Sequence, residues 1–188
     1  MKQKLILGIL LIFVIKSFSQ DSKYSLELNF PIPVDENFIG ENYSGLIDLG
    51  AKARFTNLKT INIGASLNVS VLTNNSIQNT RVKSYIIQPR VFGELFVKIA
   101  SKLHPSFALG YAIMTFNALG SNNENDLVRL NETQSGLNFN LGLSYDISER
   151  FFAQGQFDFI KLAVKNDIPD IKFNRNVNIL KIGIGYRL

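Results

Sequence analysis

Eight charged side chains fall on one phase of an alternating sequence: Glu27, Asp48, Lys52, Arg54, Arg90, Glu94, Asp158 and Lys181. Carboxylates and cations that share a narrow, low-dielectric space have two uses. They pair into a salt-bridged plug, because an unpaired buried charge costs several kcal/mol, or they line a narrow, charge-gated ion path. The plug is the expected arrangement. Nucleophilic chemistry has fewer candidates. Activating a hydroxyl or a water needs a positioned base. The chain has one histidine, His104, which adjoins Pro105 at an expected short turn and reads there as a solvated side chain. No cysteine is present, which removes disulfides, thiol catalysis and Cys/His metal clusters. Asn122-Asn123-Glu124-Asn125-Asp126 is rich in oxygen donors. It lacks the fixed spacing of a known calcium loop and reads as solvated loop. No catalytic, cofactor-binding or metal-binding residue is assigned, and no enzymatic activity is expected.

The elements that must hold these charges are strands, because apolar and polar residues alternate with period two. Residues 24–30 put Tyr24, Leu26, Leu28 and Phe30 opposite Ser25, Glu27 and Asn29. Residues 46–55 put Ile47, Leu49, Ala51, Ala53 and Phe55 opposite Asp48, Gly50, Lys52 and Arg54. Residues 61–71 set Ile61, Ile63, Ala65, Leu67, Val69 and Val71 against Asn62, Gly64, Ser66, Asn68 and Ser70. Residues 103–115 offer Phe107, Leu109, Tyr111 and Ile113 on one face. Residues 137–147 offer Leu137, Phe139, Leu141, Leu143, Tyr145 and Ile147 against Asn138, Asn140, Gly142, Ser144 and Asp146. Residues 151–159 set Phe151, Ala153, Phe157 and Phe159 against Gln154, Gln156 and Asp158. Residues 177–188 set Leu180, Ile182, Ile184, Tyr186 and Leu188 against Lys181, Gly183, Gly185 and Arg187. Residues 84–98 form a less regular strand. There Pro89 and Gly93 interrupt the apolar face, Phe92 and Phe96 fall among polar positions, and an irregularity is expected near Pro89.

Connections alternate between short (about 56–60, 99–103 and 147–150) and long (31–44, 73–83, 117–135 and 162–175), the long ones rich in Asn, Asp, Glu and Lys. Residues 1–19 stand apart. Lys2 and Lys4 precede an apolar run from Leu5 to Ile15, and Ser17-Phe18-Ser19 offers small residues for cleavage after Ser19. That run is too short for a membrane-spanning helix, which needs ~20 residues. It reads as a cleaved signal peptide, leaving 20–188 as one domain. The whole chain has 20 Lys+Arg and 15 Asp+Glu, but Lys2, Lys4 and Lys16 leave with the signal. The remaining 17 basic and 15 acidic residues give +2, so the basic balance implies no nucleic-acid partner.

Eight strands close into a barrel whose narrow interior is just filled by side chains. Here the bulky face is the apolar one, and glycine, serine, asparagine and alanine dominate the other. Small residues suit the crowded axis. Leu, Ile, Val, Phe and Tyr therefore face outward into lipid, with aromatics (Tyr24, Phe55, Tyr145, Phe151 and Tyr186 at one end; Phe30, Tyr85 and Phe159 at the other) at the two interfaces. Closure removes every free edge. The fold class is all-β, an eight-stranded antiparallel up-and-down transmembrane barrel.

The signal ending Ser17-Phe18-Ser19-Gln20, the eight alternating segments and the closing Ile182-Gly183-Ile184-Gly185-Tyr186-Arg187-Leu188 resemble small outer-membrane β-barrel proteins of Bacteroidota, the porin-family or OMP β-barrel domain type. The closing stretch looks like the strand signal read by the barrel-assembly machinery, with Leu188 where the commonest pattern has an aromatic. The resemblance implies a Gram-negative outer-membrane location after Sec export, and little about activity. Outer-membrane enzymes mostly place a histidine at the outer rim, whereas His104 is expected on the periplasmic side. The expected function is therefore a non-catalytic monomeric barrel with a filled lumen, its long loops serving envelope structure, adhesion or partner binding. Membrane lipids, lipopolysaccharide and an unknown protein partner are its expected contacts. Lys165, Lys172 and Arg175, interleaved with Ile168, Ile171 and Phe173, are the basic candidates. The alternatives are a narrow porin-like channel and a soluble lipocalin-like carrier with its apolar face inward.

Overall fold

Period-two patterning is realised as a single closed sheet. The computed structural model describes residues 23–56, 58, 60–74, 81–97, 101–121, 127–163 and 169–188. The expected signal peptide and the segment Asn122–Asp126 lie outside the described residues. The strands are β1 (Tyr24–Val34), β2 (Ser44–Arg54), β3 (Ile61–Asn74), β4 (Arg81–Leu95), β5 (Leu103–Ser121), β6 (Leu127–Asp146), β7 (Phe151–Ala163) and β8 (Asn176–Arg187). Each pairs antiparallel with its chain neighbours, and β1 pairs with β8 to close the barrel. One end carries the start of β1, the end of β8 and the β2–β3, β4–β5 and β6–β7 connections; the other carries the remaining connections.

The two faces separate as the alternation requires. Leu141, Ile182 and Ile184 are 46%, 55% and 51% exposed on the outer surface. The charged phase points inward, with Lys181, Asp48 and Asp158 at 0% exposure. This is opposite to a soluble carrier, whose apolar face must line the cavity, so the lipocalin-like arrangement is excluded by orientation. Aromatics flank the apolar belt: Phe55, Tyr145 and Phe151 are exposed at the turn end, where Phe151 and Tyr186 meet edge to face with centroids 4.9 Å apart. Phe30 and Phe159 are exposed toward the other end.

The strands run further toward the loop end than patterning indicates. Residues 117–135 are expected as a loop, yet β5 and β6 continue pairing as far as Ser121↔Leu127. The outward pair Thr115–Thr133 joins hydroxyls at 3.2 Å. A ladder of backbone hydrogen bonds needs no apolar face, so a hairpin that mixes polar and apolar residues without alternation, as Leu127-Val128-Arg129-Leu130-Asn131 does, carries no period-two hydrophobic signal.

Prolines sit where the ladder is interrupted. The β1–β2 pairing stops at Asn29↔Asp48, two residues before Pro31 and four before Pro33, although both strands continue. On its other side β1 stays paired with β8 through Pro31↔Lys181 and Pro33↔Ile179. The β4–β5 ladder omits Gln88 and Pro89 without a change of register, while β3–β4 is continuous across Pro89. The expected irregularity is thus a local gap on one side of β4. Proline has no N–H to donate, so each gap lies where a donor is missing. A register shift does occur in β2, between Gly45 and Ile47. A side chain on Gly45 would place its Cβ 1.5 Å from the Pro31 carbonyl oxygen, so only glycine fits beneath β1 there.

Inside the turn end, a Cβ on Gly185 would lie 2.0 Å from the Phe152 ring, over which the Arg187 guanidinium stacks at 4.9 Å. Gly185→Ala is expected to destabilise the folded barrel by about 1–3 kcal/mol through overpacking. The readout is the urea midpoint of the folded barrel followed by circular dichroism, and an unchanged midpoint would contradict this packing.

Candidate functional site

The barrel interior has three levels: a charged cavity at the turn end, an ionic network across the middle and an apolar plug at the loop end. The middle level is built by inward positions of β1, β2, β3, β4, β6, β7 and β8. Lys181 Nζ donates to Asp48 Oδ2 and Gln88 Oε1, each at 2.7 Å, and lies 2.9 Å from Asp158 Oδ2. Asp48 also accepts from Asn29 (2.7 Å), Asn68 (2.9 Å) and Ser70 (2.5 Å). Asp158 accepts from Arg90 (2.7 Å), Asn140 (2.8 Å) and Gln88 (3.0 Å). Arg90 donates further to Asn68. Nearer the turns, Lys52 pairs with Glu27 at 2.7 Å, and Arg54 grips Glu94 through Nε and Nη2 at 3.1 and 2.9 Å.

All eight charges singled out by the alternation therefore meet in the lumen as opposite-sign pairs. The amides of Asn29, Asn68, Gln88 and Asn140 satisfy remaining carboxylate lone pairs, which burial demands. The paired side chains reach from several strands into one buried layer across the lumen, with Asp48, Asp158, Gln88 and Lys181 at 0% exposure.

At the turn end, His104 departs from the expectation of a solvated turn residue. It belongs to β5, is 5% exposed, and its Nε2 lies 2.8 Å from Asp146 Oδ2. Phe96 meets the imidazole edge to face at 5.5 Å, and Arg187 joins Asp146 at 2.7 Å. The reason is positional. Pro105 pairs with Leu143 on β6, while the β4–β5 ladder stops at Ser106, so no β4 partner calls for the proline's missing N–H. The proline is compatible with strand, and His104 follows the inward phase. Arg54, Asn62, Glu94, His104, Asp146 and Arg187 contribute to a cavity of about 270 Å³. Arg54 pairs with Glu94, and His104 and Arg187 with Asp146, and among the described residues no hydroxyl is hydrogen-bonded to the imidazole. Among the described residues no group of three His, Asp or Glu side chains is placed to hold a metal ion.

The loop end holds what the alternation misses. Leu72, Val82, Ile86, Met114, Ile160 and Ile179 point inward and form an apolar core with Ile39. Their signal is present in the sequence as large apolar residues on the otherwise small or polar phase. Ile39 comes from α1 (Phe38–Asn42), a single turn within the expected 31–44 loop. The chain turns back over the barrel at Asp35, whose φ of 73° is tolerated by an aspartate. Asn37 then caps the helix, its Oδ1 accepting from the amides of Ile39 (3.1 Å) and Gly40 (2.8 Å). Phe38 contacts Tyr43, Phe116 and Phe173 edge to face, with centroids 5.9–6.4 Å apart. Burial pushes the Tyr43 phenol above its ordinary pKa, against a hydrogen bond with Asn74, so it stays a neutral hydroxyl. Phe173 and Arg175 lie in α2 (Lys172–Arg175), where Arg175 reaches Asp170 at 3.2 Å. Lys165 and Ile168 fall outside the described residues.

No family model and no curated protein matches the chain. Its fold is similar to that of Neisserial surface protein A (14% identity, 88% of this chain and 96% of that chain, TM-score 0.57). It is also similar to Ail, the attachment invasion locus protein of Yersinia pestis (12% identity, 88% and 96% covered, TM-score 0.58). A third similar fold is the outer membrane protein OprG from Pseudomonas aeruginosa (12% identity, 88% and 95% covered, TM-score 0.52). At these identities the likeness is one of fold: a closed, eight-stranded, up-and-down barrel.

Proposed function

We propose that the chain is a non-catalytic, monomeric barrel of a Gram-negative outer membrane, of the small Bacteroidota type, exported through Sec with residues 1–19 removed. The observation that carries this reading is the belt of exposed Leu, Ile, Val and Phe around an interior of paired charges. Soluble monomers rarely expose a contiguous apolar patch beyond a few hundred Å². In a bilayer the same belt is matched by lipid tails, and closure leaves no strand edge among them. The short turns and termini then face the periplasm, and the loop end faces outward.

Membrane lipids, lipopolysaccharide and, during insertion, the barrel-assembly machinery are its partners in this reading. Lys172 and Arg175 supply cations for lipopolysaccharide phosphates on the loop side. The filled lumen supports a role in envelope structure, adhesion or partner binding over solute passage. Two of the similar folds belong to proteins described as a surface protein and an attachment invasion locus protein, the latter also solved with the heparin analogue sucrose octasulfate.

Detergent extracts test the location. The folded chain is expected to run differently on cold SDS gels before and after boiling, and recovery in the soluble periplasmic fraction would refute the membrane reading. In planar bilayers the same preparation is expected to give no stepwise conductance. Reproducible unitary steps would replace the filled barrel with the narrow porin.

A further inference from the structure

We propose that the loop end is a binding site for one small, neutral amphipathic molecule: an aromatic or short aliphatic body carrying a single hydrogen-bonding group. A cavity of about 430 Å³ opens there, lined by Phe38, Ile39, Tyr43, Val82, Phe116 and Leu162. That volume falls in the range of about 300–1,000 Å³ typical of small-molecule sites. The inference deepens the outward-facing reading and rests on it for the side from which the ligand arrives.

The chemistry of the lining selects the ligand class. Its aromatic and aliphatic walls favour an apolar body, since apolar cavities hold water poorly and take up apolar guests. The polar members are mainly amides: Gln134, Asn74, which hydrogen-bonds Tyr43, and Asn42 and Asn174, whose Nδ2 groups donate to the Phe38 and Pro169 carbonyls at 2.9 Å. An amide oxygen can accept a further hydrogen bond, which suits a hydroxyl, amide or indole N–H donor and gives no advantage to a fixed charge. Glu132, the charged member of the lining, already has an interaction partner within the protein.

The site is built before any ligand arrives. Asn37 fixes α1 through three side-chain hydrogen bonds, including Nδ2 to the Val34 carbonyl at 2.8 Å. The four-ring cluster of Phe38, Tyr43, Phe116 and Phe173 braces the helix from the other side. A wall held this way loses little freedom on binding. Leu72, Ile86, Met114 and Ile179, at 0% exposure, pack in one apolar cluster with Ile39, Tyr43, Val82 and Leu162 of the lining, and Ser70, Gln88 and Lys181 of the ionic network follow two residues further along β3, β4 and β8. The pocket is therefore blind, suited to capture and not to passage.

The test uses the chain folded into lipid nanodiscs with isotope-labelled Ile, Leu and Val methyls, titrated with indole and corrected against empty discs. Saturable shifts are expected at the methyls of Ile39, Val82 and Leu162, with at least tenfold weaker saturation in Leu162→Trp, which fills the space. Val82→Phe is the second filling variant should the first not fold. Shifts at those methyls that stay linear in indole, or that persist unchanged in a folded filled variant, overturn the site. The same spectra report lipid contacts at Ile182 and Ile184. Those contacts without saturation at Ile39 reject the site and keep the membrane barrel; their absence rejects the barrel's membrane setting itself.

Discussion

Lys181→Met should destabilise the folded barrel by about 3–5 kcal/mol, the usual cost of breaking a buried ion pair by removing one partner. Lys181 is the cation between two carboxylates, Asp48 at 2.7 Å and Asp158 at 2.9 Å, and all three side chains are fully buried. Methionine keeps most of the volume and removes the charge. Asp158 retains Arg90, but Asp48 is left with amides and a hydroxyl only. Urea titration in lipid vesicles, read by circular dichroism because the chain has no tryptophan, measures the loss. Asp48→Asn in the same background should recover part of it, since the uncompensated charge then disappears. Lys161→Met, at an exposed position of β7, should change little. Equal midpoints for the Lys181 and Lys161 variants would mean the network does not hold the barrel together.

Leu141→Arg should be the most damaging single change on the outside, costing about 2–4 kcal/mol if the position meets hydrocarbon. On a water-facing surface the same change falls within the small effects typical of exposed substitutions. The comparison is therefore a test of solvent, not of packing. Asn131→Arg, on the same strand β6 but beyond the apolar belt, supplies the control. Folding yield in vesicles and the urea midpoint are both expected to fall for Leu141→Arg alone. Indistinguishable results for the two arginines would remove the lipid-facing assignment.

Period-two contrast made the middle of the barrel legible. Wherever one face is bulky and apolar and the other small or charged, the strand and its orientation follow together, as in residues 61–71 and 137–147. Phe92, read among polar positions, does point inward, where Lys52 approaches its ring at 5.6 Å. Legibility fails where the contrast fails. Tyr85-Ile86-Ile87 and Phe159-Ile160 are apolar on both faces, so the inward members read as noise instead of as the plug they form. The loop-end parts of β5 and β6 mix polar and apolar residues without alternation and read as loop. The one-turn helix α1 is too short to show a 3.6-residue repeat. His104 was obscured by its neighbour: a proline is a turn signal in sequence, and only the surrounding ladder reveals that its lost donor faces no partner.

The incomplete β1–β2 ladder has a mechanical meaning for the whole cylinder. A closed sheet resists deformation because every staple along its circumference must stretch together. Here one staple line stops halfway up, between Phe30–Val34 on one side and Ser44–Ile47 on the other, while the neighbouring lines β1–β8 and β2–β3 continue. The connection through α1 joins the two unpaired flanks directly. The seam of the cylinder with the longest unpaired stretch is therefore the one that is tied across by α1, at the loop end.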